Sequence, residues 1–309
     1  MKRSIIIGAR GSLLSLSQAN QLIEKLKKLH PDFVFQLQPI NTLGDKITSW
    51  QRNYTGIFVK ELEDALLSEK IDIAIHSLKD MPTQLNKHFE IAAITKREDP
   101  RDVIISYPNK KHKINELSIG AVVGTTSLRR KAQLLSMRPD LNIKQLRGNL
   151  DTRIKKLKQG LYEAIVVAYA GIKRLKLTDL PITVLDLEHF LPACGQGALA
   201  VEVRLADRQI KGIVKPLDDF SSRICVTAER AFLHYSQAGC RMPVAAYAFL
   251  KDGKITLKGM IISLDGSRKV YGEISGSFSN PQKIGYMLAK KLLATGGKQI
   301  LKEIKDAQE

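Results

Sequence analysis

Along the first two thirds of the chain the apolar positions recur in one order. A short apolar run comes first, then a turn of small or charged residues, then a stretch with helical spacing. Ile5 to Ala9 predicts a strand, and Leu13 to Leu29 predicts an amphipathic helix that ends before Pro31. Phe33 to Ile40 alternates and predicts a second strand. Gly56 to Lys70 has helical spacing, with Phe58, Leu62 and Leu66 on one face. Ile71-Asp72-Ile73-Ala74-Ile75 alternates cleanly and predicts a strand. Ala121 to Gly124, Ile143 to Leu146 and Ala164 to Ala168 predict more, followed by helices from about Ser127, Leu150 and Gly171. Strands alternating with helices predict α/β domains with parallel sheets.

The last third changes character. Ser221 to Ser236 is helical, and Val244 to Leu250, Ile255 to Ser263 and Lys269 to Gly276 read as strands. They are separated by Asp252-Gly253 and Asp265-Gly266, pairs that suit tight hairpins because glycine accepts a positive φ. Asn280-Pro281 opens a helix that reaches about Ala294 and stops at Gly296-Gly297. The expectation is a separate α+β domain of three antiparallel strands and two helices, with only the last few residues loose.

Composition narrows the partner. A chain of 309 residues predicts two or three domains, and 44% hydrophobic with 26% charged residues is ordinary for a globular protein. Lys plus Arg is 49 against 31 for Asp plus Glu, a formal charge of +18 that points to an anionic partner: nucleic acid, an acidic membrane surface or a polyanionic small molecule. Part of this excess solvates helical stretches, as at Lys155, Lys156 and Lys158 or Lys290 and Lys291. Cysteines occur only at 194, 225 and 240, an odd number with no zinc spacing, which argues against a disulfide scaffold and for a reducing compartment. The six histidines form no ligand-like pair, so no metal is expected. The run Ile5-Ile6-Ile7 stops at Gly8, too short for a secretory signal, and no apolar run reaches membrane-spanning length. A cytoplasmic protein without a membrane partner is expected.

The arginines are placed differently from the lysines. In open α/β sheets ligands bind beyond the carboxyl ends of the strands, where helix N-termini favour anions. Reading those ends gives Arg10, Gly11 and Ser12; then His76, Ser77, Lys79 and Asp80 before Met81-Pro82; then Thr125, Thr126, Ser127, Arg129 and Arg130; then Arg147, Gly148, Asn149 and Arg153; then Gly171, Lys173 and Arg174. Each alone is a helix cap or a solvated cation, and Thr125 to Ser127 are caps in any case. Together they predict a polyanion-binding cleft, since arginine presents a planar fork to carboxylates and hydroxyls add donors. Asp80 is the one carboxylate in the set: it either neutralises Lys79 or stabilises a developing cation and moves a proton. Cys225 reads as a small buried hydrophobe in a helix. Cys194 falls in the loop Leu191 to Gly197, where a thiol can be accessible, and Cys240 in a loop leaving a helix, with an inert thiol the default for both. Arg241 beside Cys240 favours the thiolate, yet sequence physics alone does not rank the two.

These residues lie in stretches that match a known family. They are Arg10-Gly11-Ser12, Phe58 to Glu63, His76-Ser77-Leu78-Lys79-Asp80-Met81-Pro82, Arg97 to Asp102, Gly124 to Arg130, Arg147-Gly148-Asn149-Leu150-Asp151-Thr152-Arg153, Leu191 to Ala198 and Gly239-Cys240-Arg241-Met242-Pro243. In this order and spacing the sequence resembles the porphobilinogen deaminase (hydroxymethylbilane synthase) family over nearly its whole length. The resemblance implies two periplasmic-binding-protein-like α/β domains with a cleft between them, residues 1–97 with about 196–217 and residues 98–195, plus an α+β domain at 218–309 that carries the cysteine loop.

It also implies a transferase of tetrapyrrole (haem-type) biosynthesis. Four porphobilinogens are condensed, with loss of ammonia, onto a dipyrromethane cofactor joined by a thioether to Cys240, and hydroxymethylbilane is then released by hydrolysis. By the same resemblance Ser77, Lys79, Asp80, Thr125, Ser127, Arg129, Arg130, Arg147 and Gly148 hold the cofactor. Arg10, Ser12, Arg147, Arg153 and Arg174 bind substrate, and Asp80 is catalytic. A monomer is expected.

The loop before Phe58 departs from the family pattern. Gln51-Arg52-Asn53-Tyr54-Thr55-Gly56 puts Thr55 where the family has lysine, and this loop resembles a lid over the cleft. Two rival readings stay in view, a solute-binding protein of two α/β lobes and a nucleic-acid binder. The extra Cys240 domain argues against the first, and an aromatic content of 6% without aromatic-basic interleaving argues against the second.

Overall fold

The computed structural model describes residues 4–41, 59–108, 111–238 and 242–307. The chain divides into two compact units, Met1–Glu98 with Gly197–Arg223 and Asp99–Gln196 with Ile224–Glu309. In chain order the first unit holds β1 (Ser4–Arg10), α1 (Leu13–Leu29), β2 (Val34–Ile40), α2 (Lys60–Leu67), β3 (Ile73–Ser77), a one-turn 3-10 helix at Leu78–Asp80 and β4 (Phe89–Ile94). The chain then enters the second unit with β5 (Asp102–Ser106), β6 (Val122–Gly124), α3 (Leu128–Met137), β7 (Asn142–Lys144), α4 (Leu150–Lys158), β8 (Ala164–Ala168), α5 (Tyr169–Arg174) and β9 (Ile182–Val184). It returns to the first for β10 (Leu199–Arg204) and α6 (Arg208–Val214). From α7 (Phe220–Tyr235) it passes to β11 (Val244–Lys251), β12 (Lys254–Ile262), β13 (Lys269–Ser277), α8 (Pro281–Leu292) and α9 (Lys298–Asp306).

The two α/β sheets share one plan. The first has strand order β2-β1-β3-β10-β4 and the second β7-β6-β8-β5-β9. In each, the first three strands are parallel and the fourth, β10 or β5, runs antiparallel to both neighbours. The sheets are therefore mixed, a correction to the purely parallel expectation. The antiparallel strands are the ones that follow each crossing of the chain between units, outside the local strand–helix repeat.

Both faces of each sheet are covered. In the first unit Ile5, Ile7, Ile73, Ile75 and Val201 pack against Leu22 and Leu26 of α1, while Leu62, Leu66, Ile71 and Ala74 cluster separately. In the second unit Ile104, Val123, Leu134 and Val166 form one cluster and Ile105, Leu157, Ile165 and Val167 another. Burying a side chain of this size contributes about 1.5–3 kcal/mol, so these layers hold the strand ends in place.

The C-terminal strands form an antiparallel meander, β11-β12-β13, as expected. Asp252 and Gly253 both have positive φ in the first hairpin turn, which fits the twist that a two-residue turn needs. Asn280 caps α8 through Lys283 N–H, as read from the sequence. Gly296, at φ +116, breaks the helix as expected, but the chain then starts α9, a helix beyond the two expected in this domain, and buries Ile300, Leu301 and Ile304.

Candidate active site

In the first unit β1 and β3 are adjacent parallel strands, so their carboxyl ends share one sheet edge. Arg10 is the last residue of β1 and is half-buried. Ser12 caps α1, its Oγ accepting the Ser15 N–H at 3.2 Å. Ser77 ends β3, and Lys79 and Asp80 occupy the 3-10 turn that follows. That turn is anchored on both sides: Leu78 N–H donates to Ala198 O at 3.1 Å, Met81 N–H donates to Leu78 O at 3.2 Å, and both side chains are buried. Pro82 keeps the turn from growing into a helix. Half-buried Lys79 and Asp80 are thus presented by a rigid backbone beside Arg10's strand.

Beneath this edge lies a buried histidine–glutamate contact. His76 Nε2 is 3.0 Å from Glu202 Oε2 on β10, and neither side chain reaches solvent appreciably. Glu63 on α2 feels the pair. Burial first, then repulsion from Glu202, pushes its carboxyl up from the ordinary value, against a downward pull from His76.

The second unit repeats the arrangement along β7, β6 and β8. Thr125 and Ser127 follow β6. Thr125 Oγ1 accepts the Ser127 N–H at 3.2 Å, and Ser127 caps α3 through the Arg130 N–H. Thr126 Oγ1 donates to Leu146 O at 2.6 Å. Arg147 and Gly148 follow β7. Gly148 has φ +109 and its carbonyl accepts from Arg153 Nε at 2.7 Å, so glycine is required by conformation there. Arg147 Nη2 contacts Gln145 Oε1 at 3.0 Å. Arg174 ends α5, which leaves β8.

Arg129 and Arg130 do something that neighbouring cations in a solvated cleft would not. Both are buried, and they share one fully buried carboxylate, Asp102 of β5. Arg130 donates to Asp102 Oδ1 from Nη2 at 2.7 Å and from Nε at 3.1 Å, and from Nη1 to Val166 O at 3.1 Å. Arg129 Nη1 lies 2.8 Å from Asp102 Oδ2 and donates to Leu191 O at 2.7 Å. Gln196 Nε2 completes the shell, 2.9 Å from Oδ1. Burial raises the Asp102 pKa, but the two guanidiniums outweigh it and hold the carboxyl well below the usual carboxylate range. Burial likewise lowers the Arg129 pKa, against the pull of Asp102. One carboxylate against two guanidiniums leaves one positive charge in excess within this cluster.

The structure therefore brings the sequence-predicted residues to the carboxyl edges of two sheets, one set in each unit. Sequence reading quoted Asp102 and Gln196 inside matching stretches but gave them no role. It missed Gln133, which holds Leu191 by bonds at 2.7 and 2.9 Å, and Glu202. Periodicity carries no signal for any of them, because each partner lies far away in the chain. Cys194, expected in an accessible loop, is buried against Ile224, Cys225 and the C-terminal core. Its loop runs along the protein interior. Cys225 is buried as read. Cys240 and the Gln51 to Gly56 loop lie outside the described residues. Among the described residues no group of three or more His, Cys, Asp or Glu suits a metal, and no helix is long and apolar enough to cross a membrane.

Comparison with known proteins agrees with this chemistry. A family model described as porphobilinogen deaminase, dipyromethane cofactor binding domain, matches residues 5–212, and one described as porphobilinogen deaminase, C-terminal domain, matches 223–294. Relatives named porphobilinogen deaminase include those of Carboxydothermus hydrogenoformans, 44% identical with all of both chains covered, and Thermus thermophilus, 44% identical over 98% of this chain and 100% of the relative. Solved structures that align with part of the chain include a probable amino-acid ABC transporter extracellular-binding protein from Bacillus subtilis (14% identity, 70% of this chain and 90% of that one, TM-score 0.43). Another is the BenM effector-binding domain with benzoate (15% identity, 68% and 87%, TM-score 0.42). With two family models spanning nearly its whole length and relatives more than 40% identical from end to end, the chain belongs to the porphobilinogen deaminase family.

Proposed function

We propose that this enzyme condenses four porphobilinogen molecules, with loss of ammonia, on a dipyrromethane joined by a thioether to Cys240, and then releases hydroxymethylbilane by hydrolysis. The observation that carries the reading is the buried surplus of positive charge where Arg129 and Arg130 share Asp102. A buried charge is costly unless it is paired, so this cluster favours a ligand carboxylate. Within the second unit the donor set fits a group bearing acetates and propionates: fixed guanidiniums and the Thr125 and Ser127 hydroxyls. When bound, the dipyrromethane supplies an electron-rich pyrrole as primer.

Ser77, Lys79, Thr125, Ser127, Arg129, Arg130, Arg147 and Gly148 hold the cofactor carboxylates in this reading. Arg10, Ser12, Arg147, Arg153 and Arg174 orient the carboxylates of the incoming substrate. Asp80, fixed by the anchored 3-10 turn, would accept hydrogen bonds from pyrrole N–H groups. It stabilises the positive charge that develops on the substrate ring as ammonia leaves, and it accepts the proton lost at coupling. The enzyme works in the cytoplasm as a monomer, without nucleic acid or membrane partners.

Intact mass tests the reading. The purified protein should carry an increment of two pyrrole units that Cys240→Ser abolishes. A wild-type protein of unmodified mass that still forms product would sink the assignment of Cys240.

A further inference from the structure

The β12–β13 turn docks the C-terminal sheet onto α3, the helix that carries Arg129 and Arg130. Gly266 lies at the tip of this turn with φ +77, and a Cβ there would come within 2.4 Å of Ser136 N, 2.6 Å of Ala132 O and 2.9 Å of Leu135 C. All three are helix backbone atoms, which cannot swing aside as a side-chain end can. Around the tip, Ala132 of α3 and Leu191 are buried with Ala245, Met260 and Ile262 of the sheet. The turn is also pre-formed. Asp265 Oδ1 accepts from Ser263 Oγ at 2.5 Å and from Ser267 N–H at 3.1 Å, and these bonds, Ser263 first, hold its carboxyl down at about 2.

The same end of the sheet receives the chain from the cysteine segment. Ile262 N–H donates to Pro243 O at 3.2 Å, and Val244 pairs with Ile261 in the first register of β11 and β12. Pro243 lies three residues after Cys240 in the sequence. One short path therefore runs from Pro243 through Ile262 to the turn, and from the turn to the backbone of the arginine helix.

We propose that the Ser263 to Ser267 turn, with Gly266 at its tip, is a positioning element for cofactor capture: it sets the register of the sheet that follows Cys240 against the helix bearing Arg129 and Arg130. This rests on the proposed function above and names residues that touch neither cofactor nor substrate. A tethered ligand whose carboxylates must reach fixed guanidiniums tolerates little slack between tether and receptor.

Gly253 provides the control. It lies in the other hairpin turn at φ +70 with nothing within 4 Å, so Gly253→Ala carries a similar backbone strain without a docking contact. Gly266→Ala, Gly253→Ala and Asp265→Ala are compared with wild type by circular dichroism, by intact mass for the fraction bearing two pyrrole units, and by kcat and KM per cofactor-bearing molecule. Expected for folded Gly266→Ala is a cofactor-bearing fraction at least about tenfold below that of Gly253→Ala, which stays within about twofold of wild type. Asp265→Ala loosens the turn without adding atoms, and its kcat per loaded molecule should fall by about threefold with KM unchanged.

Gly266→Ala that folds and matches Gly253→Ala in loaded fraction overturns the proposal. Should Gly266→Ala not fold, Asp265→Ala decides: wild-type kcat and loading overturn it, and the threefold loss supports it. Absence of the adduct from wild-type protein overturns the functional reading and this proposal together, whereas a normal adduct in both wild type and Gly266→Ala sinks only this one.

Discussion

The two α/β sheets invite comparison at their fourth strands. Each is antiparallel, each enters after the chain crosses between units, and each carries a fully buried carboxylate: Glu202 in β10 and Asp102 in β5. Glu202 faces one imidazole, His76, whereas Asp102 faces two guanidiniums. The first is a one-to-one contact that ties the end of β3, from which Lys79 and Asp80 project, to β10. The second leaves one positive charge over, which the proposed function assigns to a ligand carboxylate. One architecture thus pairs its buried acid with a single imidazole in one sheet and with two guanidiniums in the other, through a change in what that acid meets.

The largest effect should come from the unbalanced site. Asp102→Asn leaves two guanidiniums buried without a counter-charge, and loss of one partner of a buried charge cluster costs about 3–5 kcal/mol. Denaturant unfolding measures it, and added phosphate should recover part of the loss. Next, Asp80→Asn should keep wild-type unfolding and cofactor loading while turnover falls at least about a hundredfold, about 2.7 kcal/mol on the barrier. Near-normal turnover in that variant would refute the role given to Asp80. Glu202→Gln keeps an acceptor for His76 and should cost about 1–3 kcal/mol by the same unfolding measurement. Equal losses in Asp102→Asn and Glu202→Gln would erase the distinction between the two sheets.

The smallest effects are in pH, and they have opposite signs. The folded Glu63 pKa is raised above 4.5, so its contribution is present below that value and is lost as pH rises through the folded pKa. Glu63→Gln should therefore gain on wild type with rising pH. The folded Asp102 pKa is depressed below 3.8, so its contribution is present above that value and is lost as pH falls through the folded pKa. The deficit of Asp102→Asn should shrink on acidification. Unfolding curves across about pH 3–8 would show both slopes.

Much of the site was legible because its signals are local. A capping serine, a glycine at positive φ and a proline that stops a turn act within four residues, so Ser12, Ser127, Gly148 and Met81-Pro82 marked the strand ends directly. The hairpins at Asp252-Gly253 and Asp265-Gly266 were legible for the same reason. Strands β4, β5, β9 and β10 were not, because they lie outside the strand–helix repeat, and α9 was hidden behind the break at Gly296 that correctly ended α8.

The order of motifs along the chain thus determined by itself where cations and hydroxyls gather, and with it the family. Tertiary structure alone decided which of those charges are already spoken for. Arg130 meets Asp102 from 28 positions away and His76 meets Glu202 from 126. Cys194, accessible by local reading, is covered by the C-terminal core. Turns and caps are settled by neighbours in sequence, but the partner of a buried charge is settled by which strand the sheet places beside it, and strand order is a property of the whole fold.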